Sequence, residues 1–361
     1  MMTSGRVRLD MGRRRLLGWG SAYPGPAVST ELLCERVQVQ FGVNAVAHGR
    51  RLGARLGVRQ RHLCRDFLLA AEAPRPRDRN PELGARALYQ AMQRAGVARD
   101  ELAYLISHTT TPAQALPAGS AEIARHIGHT GAHMELRQAC TGFANALQMA
   151  FALTATPGAA PVGIVGVETG SVFFDPRRLH AGSAQWVNFL QMGDGAAAVV
   201  IGPDDERSDR PSITAAYFGQ CQQTPSPGLR LDAGGSDHSH CAAEVLQFEH
   251  DYSAVARQGL ALLEFGRAAL AQAGHALADA QWVVPHQASG AVAPWLARHW
   301  QLPLARVCAH GAQVGNLGSA SIWAALDHLL CHTTTGQSGR VLFLGAEATQ
   351  YSYGGFALEF P

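Results

Sequence analysis

The sequence predicts an α/β protein built from two duplicated halves, residues 1–205 and 206–361. Three observations predict it: helical and strand-like stretches alternate, one helix–turn–strand unit recurs in both halves with equal spacing, and a dense charged run separates two long apolar regions. That run, Asp204 to Pro211 (DDERSDRP), marks the boundary.

The first unit opens with ALYQAMQRAG, a helical stretch that stops at Gly96. Asp100 then precedes LAYLISHTT, an apolar run reaching His108. In the second half GRAALAQAG stops at Gly274, and Asp279 precedes AQWVVPHQAS, reaching His286. Gly96 to His108 and Gly274 to His286 span the same 12 residues, so each helix ends at a glycine cap, turns and feeds a short buried strand. Next come QACTGFANALQMAF and VGNLGSASIWAALDHLL, each a small-residue turn opening a helix. Each is followed by an apolar strand, GIVGVE and VLFLGAE. Helix–strand–helix–strand order implies parallel strands with crossover helices, and two sheets packed around shared helices. Two further segments, Ala73–Glu82 and Gln222–His240, are broken by Pro, Gly and polar residues and are expected to be loops.

Composition narrows the function. Of 361 residues 47% are hydrophobic and 16% charged, against about 25% charged in an average soluble protein, so much of the chain must be buried. A net charge of +2 gives no field able to hold a nucleic acid or a membrane surface by charge alone. The chain has no lysine, which excludes Schiff-base chemistry, Ser–Lys dyads and a P-loop lysine. Seven cysteines, an odd number without a C-x-x-C pair, fit a reducing cytoplasm better than a disulfide framework. Residues 1–20 lack the apolar stretch of a signal peptide, and no run approaches the ~18 apolar residues of a membrane span. A cytoplasmic location is expected.

Cys140, His286 and Asn316 fall at strand-end or turn positions in the two halves, where ligands collect in open parallel sheets. Cys140 precedes a helix whose unpaired N–H groups favour thiolate over thiol, making it the candidate nucleophile. Gly142 leaves room for a substrate carbonyl near the backbone. The other six cysteines read as small buried hydrophobes. His286 at a strand tip and Asn316 in a glycine turn are ordinary individually; their placement opposite Cys140 singles them out. Two metal-like clusters, Asp237/His238/His240/Cys241 and His126/His129/His133, lie in polar stretches and read as surface groups, so no metal is expected. Cys–His–Asn order also describes papain-like proteases, but their C-G-x-C-W context is absent and a twofold repeat has no place in that fold.

The stretches LGVRQRH (56–62), ISHTTTPAQALPA (106–118), QACTGFANAL (138–147), MGDGAAAVV (192–200), VPHQA (284–288) and VGNLGSAS (314–321) resemble, in order along the chain, the thiolase-fold condensing enzymes, above all β-ketoacyl carrier-protein synthase III. The resemblance implies five layers (α-β-α-β-α), a homodimer, and no cofactor beyond the acyl-CoA or acyl-carrier-protein thioesters that serve as substrates. It implies that Cys140 takes an acyl group, that His286 and Asn316 bind the second thioester's carbonyl, and that condensation proceeds with decarboxylation of a malonyl- or β-ketoacyl-type thioester. The enolate oxygen formed would be stabilised by a neutral imidazole N–H and an amide N–H. The backbone N–H groups of Cys140 and of Thr349 or Gln350 would form the oxyanion hole, because Glu347-Ala348-Thr349-Gln350 stands where the family keeps a glycine-rich turn. Arg55, with Arg59 and Arg61 nearby, would contact the coenzyme or the carrier protein, and Leu116 would close a partner subunit's acyl pocket. Arg51 stands where the family has tryptophan, and both departures point toward specialised metabolism. Two rivals are an acyltransferase delivering to an alcohol or amine and a non-catalytic partner subunit; retention of Cys140, His286 and Asn316 argues against the latter.

Overall fold

The structure is a computed structural model; it describes all residues except 1, 66, 68–77, 180–184, 207, 223–225, 233–246 and 333–337. The chain opens with β1 (Arg8–Ala22), and then β2 (Val28–Ser29), α1 (Thr30–Phe41), α2 (Ala45–His48), α3 (Ala54–Leu56) and β3 (Gln60–Arg61) make a small cap. The first repeat follows: α4 (Asn80–Ala95), β4 (Tyr104–His108), α5 (Gly119–Ile127), β5 (Ala132–Leu136), α6 (Gly142–Leu153), β6 (Val162–Glu168), α7 (Gln185–Gln191) and β7 (Gly195–Gly202). After residues 203–211 come β8 (Ser212–Gln220), the ribbon β9 (Leu229–Asp232) and β10 (Gln247–His250), and α8 (Tyr252–Gln272). The chain ends with β11 (Trp282–Pro285), α9 (Val292–His299), α10 (Gly311–Val314), α11 (Ser321–His332), β12 (Gly339–Glu347) and β13 (Ser352–Phe360).

Nine strands run in the order β11-β12-β13-β8-β1-β7-β6-β4-β5. β1 joins the two halves: its start pairs with β8 and its end with β7, with irregular register between Met11 and Arg14 and between Leu16 and Gly18. The all-parallel expectation is corrected. β4 pairs in parallel with β5 and β6, and β11 with β12, but β6–β7, β12–β13, β13–β8 and both β1 pairings are antiparallel. The short connection after β12 returns the chain beside itself as β13, which only antiparallel pairing permits.

Apolar burial sorts these elements into five layers. α4 and α5 cover the outer face of the first sheet through Leu83, Leu88 and Ile123. α6 and α11 lie together between the sheets, with Phe143, Leu147, Trp323 and Leu326 in one core. α8 and α9 cover the second sheet through Leu262, Leu270 and Leu296. The helix ends are where glycine put them: Gly96 and Gly274 have φ of 69° and 83°, a left-handed conformation that stops a helix cheaply only at glycine. Of the expected loop 73–82, Asn80 to Glu82 instead form the first turn of α4, with Pro81 preorganised for that turn and Glu82 capping Arg79 N–H.

Candidate active site

The central helices bring the site together. α6 and α11 start at the same end of the two-sheet sandwich, and the residues preceding them, Cys140 and Asn316, both line one cavity of about 570 Å³. His286, the residue immediately after β11, lines it as well. Its backbone N–H donates to Leu344 O at 2.7 Å, which fixes the imidazole at the strand tip. The floor is closed to solvent: Cys140 and His286 are each 8% exposed.

Asn316 is oriented by its acceptor end. Its Oδ1 receives the Gly318 N–H at 2.9 Å and the Ser321 hydroxyl at 3.3 Å, so the other end of the amide presents N–H donors. Its backbone is tied to the 191–193 turn, donating to Gln191 O at 2.8 Å and accepting from Gly193 N at 3.1 Å. Gly315, with φ of 74°, lies so close to that turn that a Cβ would come within 2.7 Å of Gln191 O. Burial pushes the His286 pKa down to about 4, so at neutral pH the ring is an uncharged donor or acceptor. Both groups can therefore stabilise a developing oxyanion without titrating.

Cys140 departs from the sequence-based expectation. Burial, then Glu347, then Glu168 hold its thiol well above the ordinary cysteine range, outweighing the start of α6. The Thr141 N–H at that helix start is also already engaged: it donates to Glu347 at 2.9 Å, and the Thr141 hydroxyl donates to the same carboxylate at 2.6 Å. The resting group is a thiol. Its neighbour Glu168 ends β6 as Glu347 ends β12, and each glutamate clasps the opposite half. Glu168 accepts from Ser319 Oγ at 2.5 Å, Thr110 N at 2.9 Å and Thr111 Oγ1 at 2.6 Å. Burial raises the Glu168 pKa against those hydrogen bonds.

The other expected residues separate. Thr349 lines the cavity; Gln350 is exposed and is not among its lining residues. Arg61 is fully buried, donating to Thr30 Oγ1 at 3.0 Å and to Leu190 O, and burial lowers its pKa to about 10. It holds α1 to the site's wall and contacts no substrate space, which corrects its assignment to coenzyme binding. Arg55 and Arg59 are exposed and do not line the cavity. They flank Gly57, whose loop packs against Gly290 and accepts the Ala291 N–H at Leu56 O, and Ala291 is part of the cavity wall. Leu116 is 85% exposed on the β4–α5 loop, away from the cavity of its own chain. His129 is buried, hydrogen-bonded to Arg99 O and Ala132 O, rather than on the surface; His126 and His133 are exposed. Among the described residues no group fit to hold a metal occurs; Asp237, His238, His240 and Cys241 lie outside them. No helix among them is long and apolar enough to cross a membrane.

Sequence reasoning missed the mouth and the glutamates. Trp295 and Arg298 of α9 line the cavity and are exposed at its opening, one turn apart on the helix that follows VPHQA. Their spacing was a readable signal; the inward direction of Glu168 and Glu347 was not.

A buried cysteine, a neutral imidazole and a carboxamide facing one cavity at the seam of duplicated halves define a thiolase-fold condensing enzyme. Residues 134–218 match the family of 3-oxoacyl-[acyl-carrier-protein (ACP)] synthase III, and residues 270–360 that family's C-terminal part. The chain is 29% identical over 318 residues to β-ketoacyl-[acyl-carrier-protein] synthase III 3 of Streptomyces coelicolor, covering 85% of this chain and 88% of that one. It superimposes with a TM-score of 0.81 on AbyA1, a tetronic acid condensing enzyme, at 25% identity, covering 96% and 99% of the two chains. On 3-oxoacyl-(acyl carrier protein) synthase III of Pseudomonas aeruginosa PAO1 the TM-score is 0.76, at 26% identity, with 97% and 99% covered. The chain belongs to the β-ketoacyl-[acyl-carrier-protein] synthase III-like condensing enzymes.

Proposed function

We propose that the protein loads an acyl group from a coenzyme A or carrier-protein thioester onto Cys140 and joins it to the α-carbon of a second thioester. The observation that carries this is that Cys140, His286 and Asn316, from both halves of the chain, line one cavity, with Cys140 and His286 buried and Asn316 half-buried. In loading, the Cys140 sulfur attacks the thioester carbonyl, and the thiol proton leaves on the departing pantetheine sulfur. In condensation, His286 and the Asn316 amide donate to the second thioester's oxygen as enolate charge develops, and the enolate carbon displaces the Cys140 sulfur. Cys140 N–H and the Thr349 region supply the hole for the tetrahedral oxyanion.

The cavity's shape supports entry of an extended arm. Trp295 and Arg298 stand at the opening, and exposed Arg55 and Arg59 lie on the adjoining loop, a cationic rim suited to a phosphopantetheine phosphate or an acidic carrier protein. The exposed Leu116 and the unpaired outer edge of β5 support a homodimer in which Leu116 reaches the partner's site. Side chains in the 347–350 turn and Arg51 in the cap favour a specialised pathway over a housekeeping one. The test is intact-mass measurement after incubation with a panel of acyl thioesters, followed by a second thioester. A single acyl increment, lost on the second addition with appearance of a condensed product, is expected. An increment discharged only to alcohols or amines would identify simple acyl transfer instead.

A further inference from the structure

We propose that Glu347 is the proton acceptor for the second substrate, which is a neutral thioester with a C–H between two carbonyls, of β-ketoacyl type, and not a malonyl thioester. This rests on the reading of Cys140 as the acyl carrier. Among the described residues two carboxylates, Glu168 and Glu347, line the cavity that holds Cys140, His286 and Asn316, and each is 1% exposed. They are not equivalent. Both oxygens of Glu168 are occupied by hydroxyl and backbone donors from Thr110, Thr111 and Ser319. Glu347 is anchored through Oε2 by the Thr141 N–H and hydroxyl, while Oε1 has one partner, the Thr349 hydroxyl, and keeps acceptor capacity. A buried carboxylate fixed at one oxygen and open at the other is the form of a positioned base.

Charge points the same way. A malonyl carboxylate would enter a closed floor that already holds this anion, and the cavity's arginine, Arg298, is exposed at the opening rather than at the floor. Loss of carbon dioxide generates a carbanion without any base, so in that reaction Glu347 would only anchor Thr141, with no proton to take at Oε1. Removing a proton from a carbon between two carbonyls does require one.

The step balances as follows. Glu347 takes the C–H proton and becomes a carboxylic acid, while His286 and Asn316 hold the enolate oxygen. The carbon attacks the acyl carbonyl, the carbon–sulfur bond to Cys140 breaks, and the cysteine sulfur recovers the proton from Glu347. Products are the joined thioester and a free thiol, with no carbon dioxide.

The test uses the full chain, acylated on Cys140, and acetoacetyl-pantetheine against malonyl-pantetheine as second substrates. Wild type should discharge to the acetoacetyl thioester without carbon dioxide release. Glu347→Gln, nearly isosteric, should load at least as fast as wild type, because a carboxylate that raises the Cys140 thiol is gone, but discharge to acetoacetyl-pantetheine at least 100-fold more slowly, a split that a merely structural role would not produce. Discharge of Glu347→Gln at the wild-type rate would overturn the proposal, as would wild type discharging only to malonyl-pantetheine with one carbon dioxide per product. Independently of any variant, wild-type discharge in D₂O with the C2-deuterated acetoacetyl thioester should slow at least two-fold; an unchanged rate would overturn it. Failure of wild type to load any acyl group would instead sink the acyl-cysteine reading itself, and this inference with it.

Discussion

Replacing Asn316 by alanine separates two jobs done by one side chain. Its amide N–H end faces the cavity, and its Oδ1 holds the Gly318 N–H at 2.9 Å and the Ser321 hydroxyl at 3.3 Å. Loss of one preorganised oxyanion donor costs about 10²–10³ in rate, or about 2.7–4 kcal/mol. Loss of the turn's hydrogen bonds costs a further ~1 kcal/mol of stability for each well-formed bond. Asn316→Asp distinguishes the two, because a carboxylate still accepts from Gly318 but no longer donates into the cavity. Single-turnover mass spectrometry measures loading of Cys140 and its discharge separately. Both variants should load within a few-fold of wild type and discharge about 100-fold or more slowly, while thermal unfolding reports the lost turn bonds in the alanine variant and the added carboxylate beside Glu168 and Glu347 in the aspartate one. If loading and discharge fell by the same factor in both variants, Asn316 would not be the donor to the second thioester, and the division of labour described above would be wrong.

Other outcomes follow from the same geometry. Arg61→Met should destabilise the fold by about 1–3 kcal/mol for each buried acceptor it leaves unmet, Thr30 Oγ1 and Leu190 O, seen in denaturant unfolding, with KM unchanged in the surviving enzyme. Arg55→Ala and Arg59→Ala should do the reverse, raising KM for carrier-protein substrates with a steep salt dependence and no loss of stability. Burial holds His108 and His310 down to about 3 and His286 to about 4, below the ordinary 6.5. The unfolded chain therefore binds more protons in that interval, so stability is full above pH 6.5 and falls as pH drops toward 3–4, by up to about 1.4 kcal/mol per unit for each histidine. Unfolding curves between pH 7 and 4.5 check this; a flat profile would refute it.

Much of this architecture is legible along the chain because its signals are local. Gly96 and Gly274 cap their helices where a left-handed residue is needed, and the apolar runs ending at His108 and His286 become β4 and β11. Cys140, His286 and Asn316 could be singled out because the duplication repeats their settings. What stayed hidden depends on distant partners. β1 serves both sheets by pairing with strands nearly 200 residues on, which no local pattern announces. Arg61 looks like its exposed neighbour Arg59 in sequence, yet only Arg61 finds buried acceptors, Thr30 Oγ1 and Leu190 O, which lie far from it along the chain. The thiol of Cys140 is set first by burial and then by Glu347 and Glu168, and Glu347 is a residue from the opposite half that reaches the start of α6 through Thr141. A helix start read alone predicts a thiolate; burial and the two nearby carboxylates reverse the sign.

The most direct measurement is peptide mapping after exposure to an acyl thioester. Trypsin releases residues 138–177, whose one cysteine is Cys140. The acyl mass should reside on that peptide, vanish in Cys140→Ala, and clear when the second thioester is added. Acylation found instead on Cys308 or Cys331, or persisting after the Cys140 substitution, would contradict it.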